Sequence, residues 1–235
     1  MTDDELHRAL LMHDREYRVV LGFLRSAGFA IPAQGAMACR WVLDEAKLGN
    51  ARARFAAAKL LSVGLWIKQD KNQAREWCEK AADQQLPEAI TMLAGFYESG
   101  WGGLEASRTT AIELWQRAID LGETDAMCAM ATLHFHDQSS SEDRLAAFSL
   151  LRRAAKSGNE VAQYILGSAL VKESDPALEA EGLRWIQVAA SNHSASAHRT
   201  LGYFYRAGEH GLDVDVSAAR VHFEEADRLE EVPGY

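Results

Sequence analysis

The sequence is short of several things. Its 235 residues include four prolines, three cysteines and 25 basic side chains against 34 acidic ones. Cys39, Cys78 and Cys128 are odd in number, unrelated in spacing and without a CxxC pair. That excludes a disulfide framework or a thiolate metal site and leaves buried, reduced thiols of a cytoplasmic protein. The basic deficit gives a net charge of −9. Nucleic acid is excluded as a partner, because phosphate binding needs a basic patch, and so is an anionic membrane surface. From Glu209 onward eight acids face only Arg220 and Arg228, so about −6 of the −9 sits at that end. No stretch approaches the roughly 18 apolar residues of a membrane span. The start, Met1-Thr2-Asp3-Asp4-Glu5, is acidic where a secretory leader is basic and then apolar, which predicts a cytoplasmic protein. HExxH, phosphate-cradling and nucleophile-elbow motifs are lacking, and so are strand signals.

What is present is repetition. Ala53-x-x-x-Ala57-Ala58-x-x-Leu61-x-x-Gly64 aligns with Ala89-x-x-x-Leu93-Ala94-x-x-Tyr97-x-x-Gly100 and with Ala197-x-x-x-Leu201-Gly202-x-x-Tyr205-x-x-Gly208. Weaker copies run from Tyr17, Ala126 and Ala162, so starts at 17, 53, 89, 126, 162 and 197 step by 35 to 37 residues. Each copy has a second half, clearest as Ala74-x-x-Trp77-x-x-x-Ala81-Ala82 and Gly182-x-x-Trp185-x-x-x-Ala189-Ala190. Spacings of three, four and seven predict helices with one apolar face, the Trp or Leu filling the gap between pairs. Asp70, Ser107, Asp143 and Asp215 stand where second helices begin and are expected to cap them. Glycines stand where helices end, among them Gly64, Gly100, Gly122 and Gly208. A unit of helix, loop, helix and turn cannot bury its own faces, so the units must stack.

This pattern resembles the Sel-one-like repeat (SLR) proteins of the tetratricopeptide-like superfamily, with the second and last copies matching best. The resemblance implies an all-α, right-handed α/α superhelix of about six helix-turn-helix repeats of ~36 residues. The expected layout is one solenoid domain over 1–235, with an N-terminal capping helix at 3–12 and an acidic cap at 217–231. It also implies a non-catalytic protein–protein interaction module: a cytoplasmic adaptor or regulator, or a bacterial immunity-type protein that sequesters a cognate partner. A self-assembling scaffold is the alternative. Further off stands a ligand-binding protein or enzyme using the groove, with His134, His136 or Asp137 acting. Departures are local: His134 replaces the tyrosine, Glu173 a glycine, His193 a turn glycine and His222 the tryptophan.

Histidines two apart on a helix point about 200° from each other, so His134 and His136 cannot share an ion. His134 reads as a hydrogen-bonded structural residue, the Gly100–Gly103 loop as turn chemistry, and no metal or cofactor is expected. The groove offers more. Counting each first helix from its starting alanine, positions 1, 5, 8 and 12 make the core face, and 3, 7 and 10 lie opposite. There the sequence places aromatic residues and arginine, the usual anchors of protein interfaces, where an exposed face is ordinarily polar. The expected partner-binding residues on this concave face are Phe23, Phe55, Lys59, Glu98, Phe135, Tyr164, Arg199, Tyr203 and Arg206. A protein partner, as a peptide, helix or folded effector, is expected to lie in this groove; the sequence leaves the oligomeric state open.

Overall fold

In the computed structural model, residues 35–64, 67–136 and 140–231 are described. Among them are eleven α-helices, one short 3-10 turn and no strand. Phe23, the first helix of the first repeat and the expected capping helix at 3–12 lie outside the described residues.

Contacts divide the chain into two units, the first ending at Glu123. The first holds α1 (Gly35–Lys47), α2 (Ala51–Val63), α3 (Lys71–Asp83), α4 (Pro87–Ser99) and α5 (Arg108–Asp120). The second holds α6 (Thr124–His136), α7 (Ser141–Lys156), α8 (Glu160–Leu170), α9 (Pro176–Ser191), α10 (Ala195–Ala207) and α11 (Val216–Glu231). Within each unit every helix packs on the next, giving stacked helix hairpins.

Local chemistry sets the boundaries. Asp70 accepts from the Gln73 N–H, Ser107 from Thr110, and Asp215 from Ser217 and Ala218, which satisfies helix-start donors as expected. Asp143 is a correction. The cap of α7 is Ser140, whose hydroxyl accepts from the Asp143 N–H, and Asp143 sits one turn in, its carboxylate accepting from the Ser140 N–H. That helix therefore begins three residues earlier than the repeat frame predicts. At Gly64, which ends α2 with φ +80°, an added Cβ would stand 2.9 Å from the Gln69 side chain. His193 holds the turn slot its repeat gives to glycine and takes the left-handed backbone there, φ +64°.

The small residues of the frame are the core. Ala53, Ala57, Ala89, Ala94, Ala126, Ala162 and Ala197 are fully buried where first and second helices meet. The tryptophan slot is a second correction. Measured from the second-helix alanine, the residue three places on is half-buried: Trp77, Leu114, Leu150 and Trp185. The residue four places on fills the core: Val42, Cys78, Trp115, Leu151 and Ile186, none above 3% exposed. At 100° per residue the buried alanines at 0, 7 and 8 centre near +20°, so position 4 points inward and position 3 lies at the edge. Burial pushes the Cys39 thiol up to about 11 and the Cys78 thiol higher still, and Cys78 donates to the Ala89 carbonyl.

One recurring contact carries no sequence signature. The residue after the starting alanine of the first helix donates to a carbonyl near the end of the preceding second helix. Arg54 does so to Ala46, Gln163 to Ala155 and His198 to Ala190, at 3.2, 3.2 and 3.0 Å. Each adds a second donor to a helix-end carbonyl that already accepts from a turn N–H, that of Gly49, Gly158 or His193. Arg117 adds a variant, bonding Ala82 O and Gln85. Between repeats, Arg152 of α7 grips Glu181 of α9 through two bonds of 2.9 and 2.8 Å, and Trp185 adds a third donor. The guanidinium holds the Glu181 carboxyl below the usual range.

Candidate protein-binding surface

The site residues expected from the sequence fall into three environments. Phe55 is 3% exposed, so it is a packing residue with no surface to offer a partner. Lys59 lies with its ammonium 5.0 Å from the centre of the Phe55 ring. Phe135 is half-buried and meets Phe148 of its own hairpin edge-on at 5.5 Å. Tyr164 is half-buried as well, its hydroxyl 3.3 Å from the Thr200 hydroxyl in the next first helix. Glu98, Tyr203 and Arg206 are exposed, and Arg199 is half-buried.

The contacts of the second unit explain this spread. Tyr164 of α8 and Val171, its C-cap, which are positions 3 and 10 counted from Ala162, pack in one cluster with Ala197, Leu201 and Phe204 of α10. Cys128, position 3 of α6, is 7% exposed with its sulfur 3.8 Å from Asn159, the cap of α8. The face opposite the hairpin core thus receives the following repeat. On α10 the same positions are Arg199, Tyr203 and Arg206, and there the face is open.

This open face is ordered by α11. Arg199 makes 3.0 Å ion pairs with both Asp227 and Glu230. Tyr203 stands edge-on to Phe223 at 5.1 Å, and the Arg206 guanidinium lies over both rings at 5.0 and 5.6 Å. Phe223 can lie so close because residue 202 is glycine: a Cβ there would meet its ring at 2.6 Å.

The histidines of the second unit are structural contacts. His134 Nδ1 is 3.3 Å from Asp143, whose carboxyl is held low chiefly by Ser140 and secondarily by His134. His136 and Asp137 offer no described side chain. His198 Nδ1 is 3.0 Å from His222 Nδ1, while His198 Nε2 faces the Ala190 carbonyl. A carbonyl only accepts, so His198 carries its proton on Nε2 and His222 must donate from Nδ1. Tyr205 stacks on the other side of His222 at 5.5 Å. Burial, then the neighbouring His198, holds His222 below the ordinary histidine value of 6.5. The unfolded chain therefore takes up this proton first as pH falls, and stability is lost below about 6.5 until the folded group itself titrates. Melting temperature is expected to drop over this range in the native chain and less steeply in His222→Phe; parallel pH profiles would refute the assignment. No group of three or more histidine, cysteine or acidic side chains placed to hold a metal ion occurs among the described residues. The Gly100–Gly103 loop is turn structure: Trp101 stacks on Phe96 at 4.3 Å and Arg75 donates to the Gly102 carbonyl.

The Sel1 repeat family model matches residues 51–86, 87–123, 124–159 and 195–226, more than half of the sequence. The chain belongs to the Sel1 repeat family. Sel1 repeats are a protein-interaction fold, typically non-catalytic. The matched stretches coincide with the hairpins α2–α3, α4–α5, α6–α7 and α10–α11. The unmatched α8–α9 keeps the same hairpin with Gly182 in the alanine slot.

Solved structures share the fold. A Sel1 repeat protein from Oxalobacter formigenes is 22% identical, with TM-score 0.73 and 95% of this chain and 94% of that one covered. The immunity protein Pa5087 from Pseudomonas aeruginosa is 16% identical, with TM-score 0.66 and coverage of 92% and 83%. A protective antigen of uropathogenic Escherichia coli displaying an SLR fold is 22% identical with TM-score 0.71; this chain is covered to 88% but spans 44% of the antigen. The comparison with curated proteins finds no match. No helix among the described residues is long and apolar enough to cross a membrane.

Proposed function

We propose that this Sel1 repeat protein is a non-catalytic binding protein of the cytoplasm that sequesters one cognate protein, in the manner of an immunity protein. The observation that carries the reading is the family match along the stacked hairpins, since this fold works by presenting helix faces to other proteins. The Pseudomonas immunity proteins of the same fold favour a dedicated partner over a general adaptor. Buried thiols at Cys39, Cys78 and Cys128 suit a reducing compartment.

In the first unit the partner meets Lys59 and Glu98; in the second, the accessible edges of Phe135 and Tyr164. Arg199, Tyr203 and Arg206, on the open face of the last repeat, serve a different contact. Capture on the tagged chain from lysate of its source cell is expected to yield one stoichiometric protein. Lys59→Glu with Glu98→Lys should release it while leaving helicity unchanged. Several substoichiometric proteins would favour an adaptor, and none at all would overturn the reading.

A further inference from the structure

The face that receives the next repeat is the informative one. On α8 it is closed: Tyr164 and Val171 pack under α10, and the Ser168 hydroxyl is buried. On α10 its counterparts are Arg199, Tyr203 and Arg206, with Tyr203 48% exposed. Phe223, Asp227 and Glu230 of α11 complete the face.

Several features make this face a prepared contact. Its aromatic rings and guanidinium already lie in fixed mutual stacks, so little side-chain entropy remains to be lost on docking. Tyrosine and arginine are the types that concentrate interface energy. Arg206 has no carboxylate partner among the described residues, although its neighbours on the same face are acidic. The Asp227 and Glu230 side chains are 69% and 56% exposed, and they share one guanidinium, that of Arg199.

We propose that a second copy of this chain docks here, the open face of one last repeat meeting that of another about a two-fold axis. The charge layout selects this occupant. An acidic partner would satisfy Arg206 and be repelled by Asp227 and Glu230; a basic partner would do the reverse. A two-fold contact sets a patch against itself, so Arg206 of each copy meets Asp227 and Glu230 of the other while Tyr203 closes on the apolar centre. This contact is separate from the partner-binding surface and stands or falls independently of it.

Sedimentation equilibrium over a dilution series tests the proposal. The native chain is expected to move from 26.0 kDa toward twice that mass as concentration rises. Arg206→Glu should weaken association about tenfold or more. The chain carrying Asp227→Arg and Glu230→Arg should likewise stay monomeric alone. An equimolar mixture of the two variants should recover the dimer, because each then supplies what the other lacks. Should the double variant lose helicity, Tyr203→Ala replaces it, and a matching loss of association is expected. A native chain monomeric throughout the series overturns the proposal, as does a dimer indifferent to Arg206→Glu and Tyr203→Ala.

Discussion

Replacing Trp115 by alanine is expected to destabilise the first unit by about 3–5 kcal/mol, the range for emptying a large aromatic core site. Trp115 is 3% exposed on α5, which packs on α4. The same truncation at Trp77 should cost much less, on the order of 1–2 kcal/mol. Its ring is half-buried at the edge of a cluster formed by α1 and α2, with the Lys80 ammonium 4.6 Å from its centre. Urea denaturation of the two variants beside the native chain reads the difference. Equal losses would show that positions 3 and 4 of the second helix contribute alike to the core, and a larger loss at Trp77 would make position 3 the core site.

The contrast between these tryptophans shows what a repeat pattern hides. Small residues recur because two helix backbones must approach at fixed places, so Ala53, Ala89, Ala126, Ala162 and Ala197 keep their identity and mark the fold plainly. The large core slot only has to be filled, and Val42, Cys78, Trp115, Leu151 and Ile186 all fill it. Its identity varies, whereas the half-exposed tryptophan beside it repeats and draws the eye. The helix-end donors Arg54, Gln163 and His198 are invisible for the same reason: three chemistries perform one task.

The candidate surface was less legible than the fold. Helical periodicity separates the face toward the hairpin core from the face away from it, but it cannot say what covers the second face. In a stack that cover is the next repeat, which is why Tyr164 and Cys128 are packed and Tyr203 is open. A row of aromatic residues at positions 3, 7 and 10 therefore mixes two populations. Some are packing between repeats, and those of the last repeat face solvent. Phe55, buried at 3%, belongs to the packed ones.

Gly182→Val is expected to produce the second large loss, about 3 kcal/mol or more, and Gly182→Ala somewhat less. A Cβ at residue 182 would lie 2.7 Å from the Val171 nitrogen and 2.8 Å from the Gly167 carbonyl oxygen. A Cβ at Gly167 would lie 2.8 Å from the Gly182 oxygen and 2.6 Å from Ile186. These obstacles are mainly backbone, so relief requires α8 and α9 to separate, which would open the contacts of Ile186 and Leu170 in the same core. Gly95 is the internal control. It also lies inside a helix, yet a Cβ there meets nothing within 4 Å. Gly95→Ala should then stabilise the chain by roughly 0.5–1 kcal/mol through helix propensity alone. Thermal melts of the three variants test opposite signs from one residue type. If Gly182→Val were neutral, the close crossing of α8 on α9 would be wrong. The account of how this repeat, which the family model does not match, keeps its hairpin by trading an alanine contact for a glycine pair would fall with it.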